Sequence, residues 1–102
     1  MTQLEDVFKR KIRFTEERRK HIDGDHPEMS GQEVRILECL LSPEQVRQSR
    51  TDERVELFYK YFTDTLVGNK YLCVVIKNGV DDLFLVTAYF TDKVKEGKVL
   101  YG

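Results

Sequence analysis

From Phe8 to Phe14 apolar and basic residues alternate, with Phe8, Arg10, Ile12 and Phe14 on one side and Lys9, Lys11 and Arg13 on the other. A period of two predicts a strand with one charged face. Leu4, Val7 and Phe8 stand at helical spacing and leave room for a short helical turn before it. Thr15 occupies an N-cap position, with Glu16 and Glu17 in the first turn and Arg18, Arg19 and Lys20 toward the other end. This order of charges suits the helix dipole and predicts a short helix from Glu16 to about Ile22, with Gly24 as its stop signal. Ser30-Gly31-Gln32-Glu33 reads as a capping box opening a second helix, whose Val34, Ile36, Leu37, Leu40 and Leu41 make a broad apolar face. Ser42-Pro43-Glu44-Gln45 repeats that start, with proline at the first helical position, and predicts a third short helix ending near Gln48.

Beyond Arg54 the period switches to strands: Val55 to Phe62, Lys70 to Lys77, Leu83 to Thr91 and a short Val99 to Tyr101. Gly68-Asn69 and Asn78-Gly79 punctuate the first three as antiparallel hairpins. Tyr71-Leu72-Cys73-Val74-Val75-Ile76 is apolar on both faces, as a central strand is. The expected fold is α+β: an N-terminal strand and two or three helices packed on one face of a four-stranded antiparallel sheet, in one domain over residues 1–102.

With 40% hydrophobic and 34% charged residues in 102, there is apolar material for one core and no argument for disorder. No apolar run approaches the roughly 20 residues of a membrane span, and residues 1–13 carry no apolar signal core. A cytoplasmic chain without a membrane partner is expected. The net charge of -1 is unevenly spread, being -2 over residues 1–8, +5 over 9–20, -5 over 21–56 and +1 over 57–102. The basic stretch can meet a polyanion locally, although solvated faces of a strand and a helix are the plainer account of it. Cys39 and Cys73 lie apart in apolar runs and read as buried hydrophobes rather than a disulfide, a zinc site or a nucleophile. His21 and His26 are five apart with no third ligand marked, so neither a metal nor another cofactor is expected.

The window Arg18 to Met29 concentrates both histidines, Asp23, Asp25, Glu28 and three cations, Arg18, Arg19 and Lys20. Histidine titrates near neutrality, so two of them at one phosphodiester can divide base and acid roles while a cation neutralises the phosphorane. RNA supplies its own nucleophile, the 2′-hydroxyl. Asp23 or Asp25 would orient a histidine. A surface helix end and a turn are the plainer account of the same residues. On the strand Leu83 to Thr91, a two-residue period places Leu83, Leu85, Thr87, Tyr89 and Thr91 on one face, a core stripe opening into a polar cleft. Thr87 and Tyr89 can bond a phosphate or stack a base, and both are also good strand formers. Tyr59, with Tyr61, adds ring surface, Lys60 faces the other way with Phe58 and Phe62, and Lys93, Lys95 and Lys98 are solvated or extend a cationic rim.

The strings Ile12-Arg13-Phe14-Thr15-Glu16-Glu17-Arg18, His21-Ile22, His26-Pro27-Glu28-Met29, Leu41-Ser42-Pro43-Glu44-Gln45-Val46, Phe58-Tyr59-Lys60, Lys70-Tyr71-Leu72-Cys73-Val74-Val75 and Thr87-Ala88-Tyr89-Phe90-Thr91-Asp92 span nearly the whole chain. Together they resemble small bacterial, cyanobacterial and phage-encoded domains of the barnase, EndoU, colicin and RelE-like nuclease superfold. The resemblance implies N-terminal helices against a four-stranded antiparallel sheet and a metal-independent endoribonuclease, often the toxin half of a toxin–antitoxin pair. RNA and an antitoxin or other protein are the partners it implies. By motif position it puts Arg18, His21 and His26 in the helix-borne part of a catalytic site and Thr87 and Tyr89 in the sheet-borne part. Arg19, Lys20, Tyr59 and Lys60 complete the expected substrate-binding set. A non-catalytic RNA- or protein-binding module is the alternative.

Overall fold

A computed structural model describes residues 2–102. Its strands are β1 (Thr2–Glu5), β2 (Lys11–Phe14), β3 (Gln45–Gln48), β4 (Val55–Thr65), β5 (Gly68–Asn78), β6 (Leu83–Thr91) and β7 (Val99–Tyr101). Helix α1 (Glu16–Asp25), a single 3-10 turn (Pro27–Met29) and helix α2 (Glu33–Leu41) lie between β2 and β3. The strands form one curled sheet in the order β1-β2-β6-β5-β4-β3-β7. All pairings are antiparallel except β2 with β6, which run parallel with Arg13 opposite Phe84.

This overturns the four-stranded antiparallel sheet with two or three helices packed on one face. Among the described residues the sheet has seven strands and mixed direction, and there are two α-helices. Three physical causes account for the difference. First, the predicted third helix is β3: Val46 is fully buried, and Gln45 to Gln48 pair with Glu56 to Tyr59, so strand pairing overrides the Ser-Pro-Glu-Gln start signal. Second, residues 6–10 form a turn, which releases Thr2–Glu5 to pair with β2 as an additional strand. Asp6 Oδ1 accepts the backbone N–H groups of Phe8 and Arg10 at 3.0 and 2.9 Å, and Lys9 takes a left-handed φ of 64°. Third, the segment after β6 crosses the sheet, so β7 pairs with β3 rather than extending the meander.

The helices start and stop for reasons partly foreseen. Thr15 caps α1, its hydroxyl oxygen accepting the Arg18 N–H at 3.1 Å. The helix runs through Gly24 to Asp25. Ser30 closes the 3-10 turn, its N–H donating to the Pro27 carbonyl, and α2 begins after Gln32 without a side-chain cap. Only Ile36, Cys39 and Leu40 of α2 are buried, while Val34 and Leu41 face solvent. The buried stripe is therefore narrower than the apolar pattern.

Two cores lie on opposite faces of the sheet. Under the helices, Ile12, Phe14, Ile22, Met29, Ile36, Leu40, Phe58, Leu72, Val74, Ile76, Leu85 and Ala88 pack together. On the other face Leu57, Tyr59 and Cys73 are covered by Val55, Tyr71, Val75, Tyr89 and Val94. Arg10, odd by its position in the apolar stripe, sits between two buried carboxylates: its guanidinium donates to Asp6 Oδ2 (Nε, 2.8 Å) and to Glu56 Oε1 (Nη2, 2.7 Å). That bridge ties the β1–β2 turn to β4 and leaves neither acid unpaired.

Candidate functional site

The register of β6 shapes the floor of a groove on the face of the sheet away from the helices. A bulge lies where Ile76 pairs with Leu85 but Val75 pairs with Thr87, so the two-residue period breaks between Leu85 and Thr87. Leu83 and Leu85 therefore belong to the helix-side core, while Thr87 and Tyr89 turn to the opposite face. The expected continuous stripe from Leu83 to Thr91 does not exist. The bulge is what delivers a threonine and a tyrosine to a face that would otherwise repeat the core.

On that face Leu57, Val75 and Thr87 form one row across β4, β5 and β6, and Tyr59, Cys73 and Tyr89 form the next. Leu57, Val75, Thr87 and Tyr89 of these rows, with Val55, floor a groove of about 570 Å³, and Tyr59 and Cys73 are buried out of its lining. Its walls are Ser49, Arg50 and Thr51 from the loop after β3, and Lys95 and Glu96 from the segment crossing to β7. Apolar floor, hydroxyls and cations converge there, the usual composition of a ligand site. Arg50 Nη1 lies 3.1 Å from Glu96 Oε2 at the mouth, with both side chains largely exposed, an ion pair weak enough for an anionic ligand to replace.

His26, at the end of α1, lies against one lining residue of this groove, Tyr89, and is not itself part of the lining. Its ring stacks on that of Tyr89, with centroids 5.7 Å apart and planes at 30°. Its Nδ1 stands 3.4 Å from Glu28 Oε1, and the side chain is about one third exposed. The proline after His26 begins the 3-10 turn that holds Glu28 in position beside it. The carboxylate partner is thus Glu28, in place of the expected Asp23 or Asp25.

The remaining candidates are dispersed. His21 is well exposed, Nε2 3.9 Å from Glu17 Oε1, in a surface patch with Lys20, Gly24 and Asp25. Arg18 lines a smaller cavity with Arg13, Thr15, Glu17, Phe84 and Leu85. Arg19 pairs with Glu33 at 2.7 Å and ties α1 to α2. Lys60 donates to the Ser42 carbonyl at 2.8 Å. Tyr59 is fully buried, its hydroxyl accepting the Lys95 backbone N–H at 3.1 Å, so it supports the groove from beneath instead of contacting a ligand. The structure stacks His26 on Tyr89 and sets Tyr89 beside Thr87 in the groove, while His21, Arg18, Lys20, Arg19 and Lys60 lie elsewhere.

Arg50, with Ser49 and Thr51, follows the end of the predicted third helix at Gln48, and only the pairing of β3 with β4 brings this loop to the groove. The cluster Ser49-Arg50-Thr51-Asp52 was the available signal. Asp52 fixes this loop: it accepts the Arg54 N–H at 3.0 Å and pairs with Lys77 at 3.3 Å, and the first of these contacts, supported by Lys77, holds its carboxyl below the usual range. In the row of Tyr59, Cys73 and Tyr89, burial pushes the Cys73 thiol up to about 11 and raises the Tyr59 and Tyr89 hydroxyls further. The thiol is a neutral packing group at physiological pH.

Among the described residues, no group of three or more His, Cys, Asp or Glu side chains is arranged to hold a metal ion, and no helix is long and apolar enough to cross a membrane. No protein-family model, curated protein or solved structure matches the chain.

Proposed function

We propose that this groove binds single-stranded RNA and that the protein is an endoribonuclease in which His26 is the general base. The observation that carries this reading is the stacking of His26 on Tyr89, which puts an imidazole at the edge of a groove equipped with Arg50, Lys95 and Thr87. Glu28 beside Nδ1 favours the tautomer with the proton on that nitrogen and leaves Nε2 to accept one. His26 Nε2 takes the proton of a 2′-hydroxyl, whose oxygen attacks the adjacent phosphorus. Arg50 and Lys95 balance the charge of the phosphorane, and Thr87 donates a hydrogen bond to it. The bond to the 5′-oxygen breaks, that oxygen is protonated by Lys95 or by water, and the products carry a 2′,3′-cyclic phosphate and a 5′-hydroxyl.

In this scheme His21 has no part, and Tyr89 is a platform for His26. The setting proposed is cytoplasmic, where two unpaired, buried cysteines are unremarkable. The test is incubation of purified protein with mixed RNA in EDTA, followed by analysis of product ends. Cyclic phosphate ends that disappear with His26→Ala are expected. Cleavage at the wild-type rate by that variant would overturn the assignment. Saturable binding with no product from the wild type would favour the second reading, a non-catalytic RNA-binding module, for which the same apolar floor and cationic walls suffice.

A further inference from the structure

The segment between β6 and β7 carries Lys93, Lys95 and Lys98. Such a stretch is ordinarily a loose polar loop, but here its main chain is fastened at three points. Lys95 N–H donates to the Tyr59 hydroxyl at 3.1 Å, and the Lys98 carbonyl accepts the Gln48 N–H at 2.8 Å. Between them the Gly97 carbonyl accepts from Arg47 Nη1 at 3.2 Å. Val94, partly buried, packs against the cluster of Leu57, Tyr59 and Cys73. Gly97 is required for this seating, because a Cβ there would collide with the Gln48 carbonyl oxygen. The main chain is thus fixed while the side chains of Lys95 and Lys98 stay exposed.

A second cavity, of about 490 Å³, adjoins the groove. The two share Ser49, Arg50 and Thr51, and the second is completed by Gln48, Glu53 and Lys98. Lys95 stands at one cavity, Lys98 at the other, and Arg50 at both. Among the described residues neither lysine has a carboxylate within ion-pair distance, so both charges are available to a ligand, and Arg50 holds only the exposed Glu96.

We infer that the anchored segment is a phosphate rail that carries a single RNA strand from the groove, over the loop 49–51, into the second cavity. The RNA site is then longer than the scissile dinucleotide, with Lys98 holding a phosphate outside it. This rests on the RNA reading above and adds the extent of the substrate to it. Fixing the rail before binding reduces the ordering cost, and each phosphate neutralised adds a salt-dependent increment to affinity.

The experiment measures binding of 2′-O-methyl oligouridylates, which lack the nucleophile, of two and six nucleotides across a salt series, beside cleavage of ordinary RNA. The wild type is expected to bind the six-nucleotide probe at least tenfold tighter than the two-nucleotide one. Lys98→Gln should weaken only the longer probe, by roughly three- to tenfold, and reduce its salt slope by about 0.7, the increment for one phosphate of a single strand. Lys93→Gln, at a lysine lining neither cavity, should leave both probes unchanged. Thermal denaturation of both variants checks that the fold is retained. If the wild type cleaves RNA but binds the two probes equally, or if Lys98→Gln leaves the longer probe's slope intact, the rail is wrong and the groove stands. If the wild type neither binds nor cleaves RNA, the groove reading fails and the rail with it.

Discussion

His26 and Tyr89 lie 63 positions apart in the chain and stack ring on ring, 5.7 Å between centroids. One closes helix α1 and the other belongs to a strand whose bulge turns it away from the helices. The contact therefore runs around the border of β6, and it links the chemistry-bearing end of the helical segment to the groove on the far face of the sheet. A histidine held by a ring on one side and a carboxylate on the other has few orientations left, which is what proton transfer to a fixed acceptor requires.

The two histidines should separate cleanly. His26→Ala should lower RNA cleavage by about 10²- to 10⁴-fold, the ordinary contribution of a positioned general base. Glu28→Gln should produce a smaller loss, since the imidazole keeps its stack on Tyr89. His21→Ala should remain within about twofold of wild type, because His21 belongs to a different surface patch. Initial rates on one RNA substrate for the three variants decide this, and loss of activity in His21→Ala would return that residue to the site.

Stability should depend heavily on Arg10. Arg10→Ala leaves Asp6 and Glu56, both buried, as facing acids without their shared cation. The expected cost is about 3 kcal/mol, read from urea denaturation at neutral pH. Replacing a solvent-facing cation such as Lys11 should change stability by less than about 0.5 kcal/mol.

Alkaline pH should destabilise the fold. The folded state raises the pKa values of Cys39, Cys73, Tyr59 and Tyr89, in each case chiefly through burial. The unfolded chain therefore releases these protons first, so the stabilisation they represent is complete below about pH 8.5 and is lost as pH rises toward the Cys73 value of about 11. Melting temperature against pH should be flat near neutrality and fall above pH 9. At pH 8 a thiol reagent should modify neither cysteine in the native protein and both in denaturant.

Gly97→Ala tests whether the crossing segment is seated as described. Moving the Gln48 carbonyl or the segment to relieve the collision should cost about 1–3 kcal/mol and loosen the Gln48–Lys98 backbone bond. Hydrogen exchange of the Gln48 amide should accelerate in the variant, while that of Leu72 in the central strand is unchanged at early times.

Much of the framework was legible in local sequence. Thr15 with Glu16 and Glu17 marks the start of α1, and the runs around Val74 and Ala88 mark the central strands, because periodicity and capping are properties of neighbouring residues. The Ser42-Pro43-Glu44-Gln45 signal failed because its competitor was an open strand border formed by residues 55–59, and no local pattern reports that. The position of β7 depended on Tyr59 and Val94 holding a crossing segment, again a long-range cause. For the proposed site, the chemistry of His26, Thr87 and Tyr89 marks them as candidates in the sequence, and the contact between His26 and Tyr89 is visible only in the fold. His21 and His26 share a window of sequence but not a surface patch, and the loop of Arg50 meets the groove only after β3 pairs with β4.

Chemical-shift mapping of the isotopically labelled protein with a six-nucleotide 2′-O-methyl oligouridylate tests the central claim most directly. The groove account predicts that the Arg50, Thr51, Thr87, Tyr89 and Lys95 amides and the His26 ring resonances shift together and saturate at one affinity, while Lys20 and His21 stay in place. Saturable shifts confined to the Lys20 and His21 patch, or to the Arg18 cavity, would contradict it.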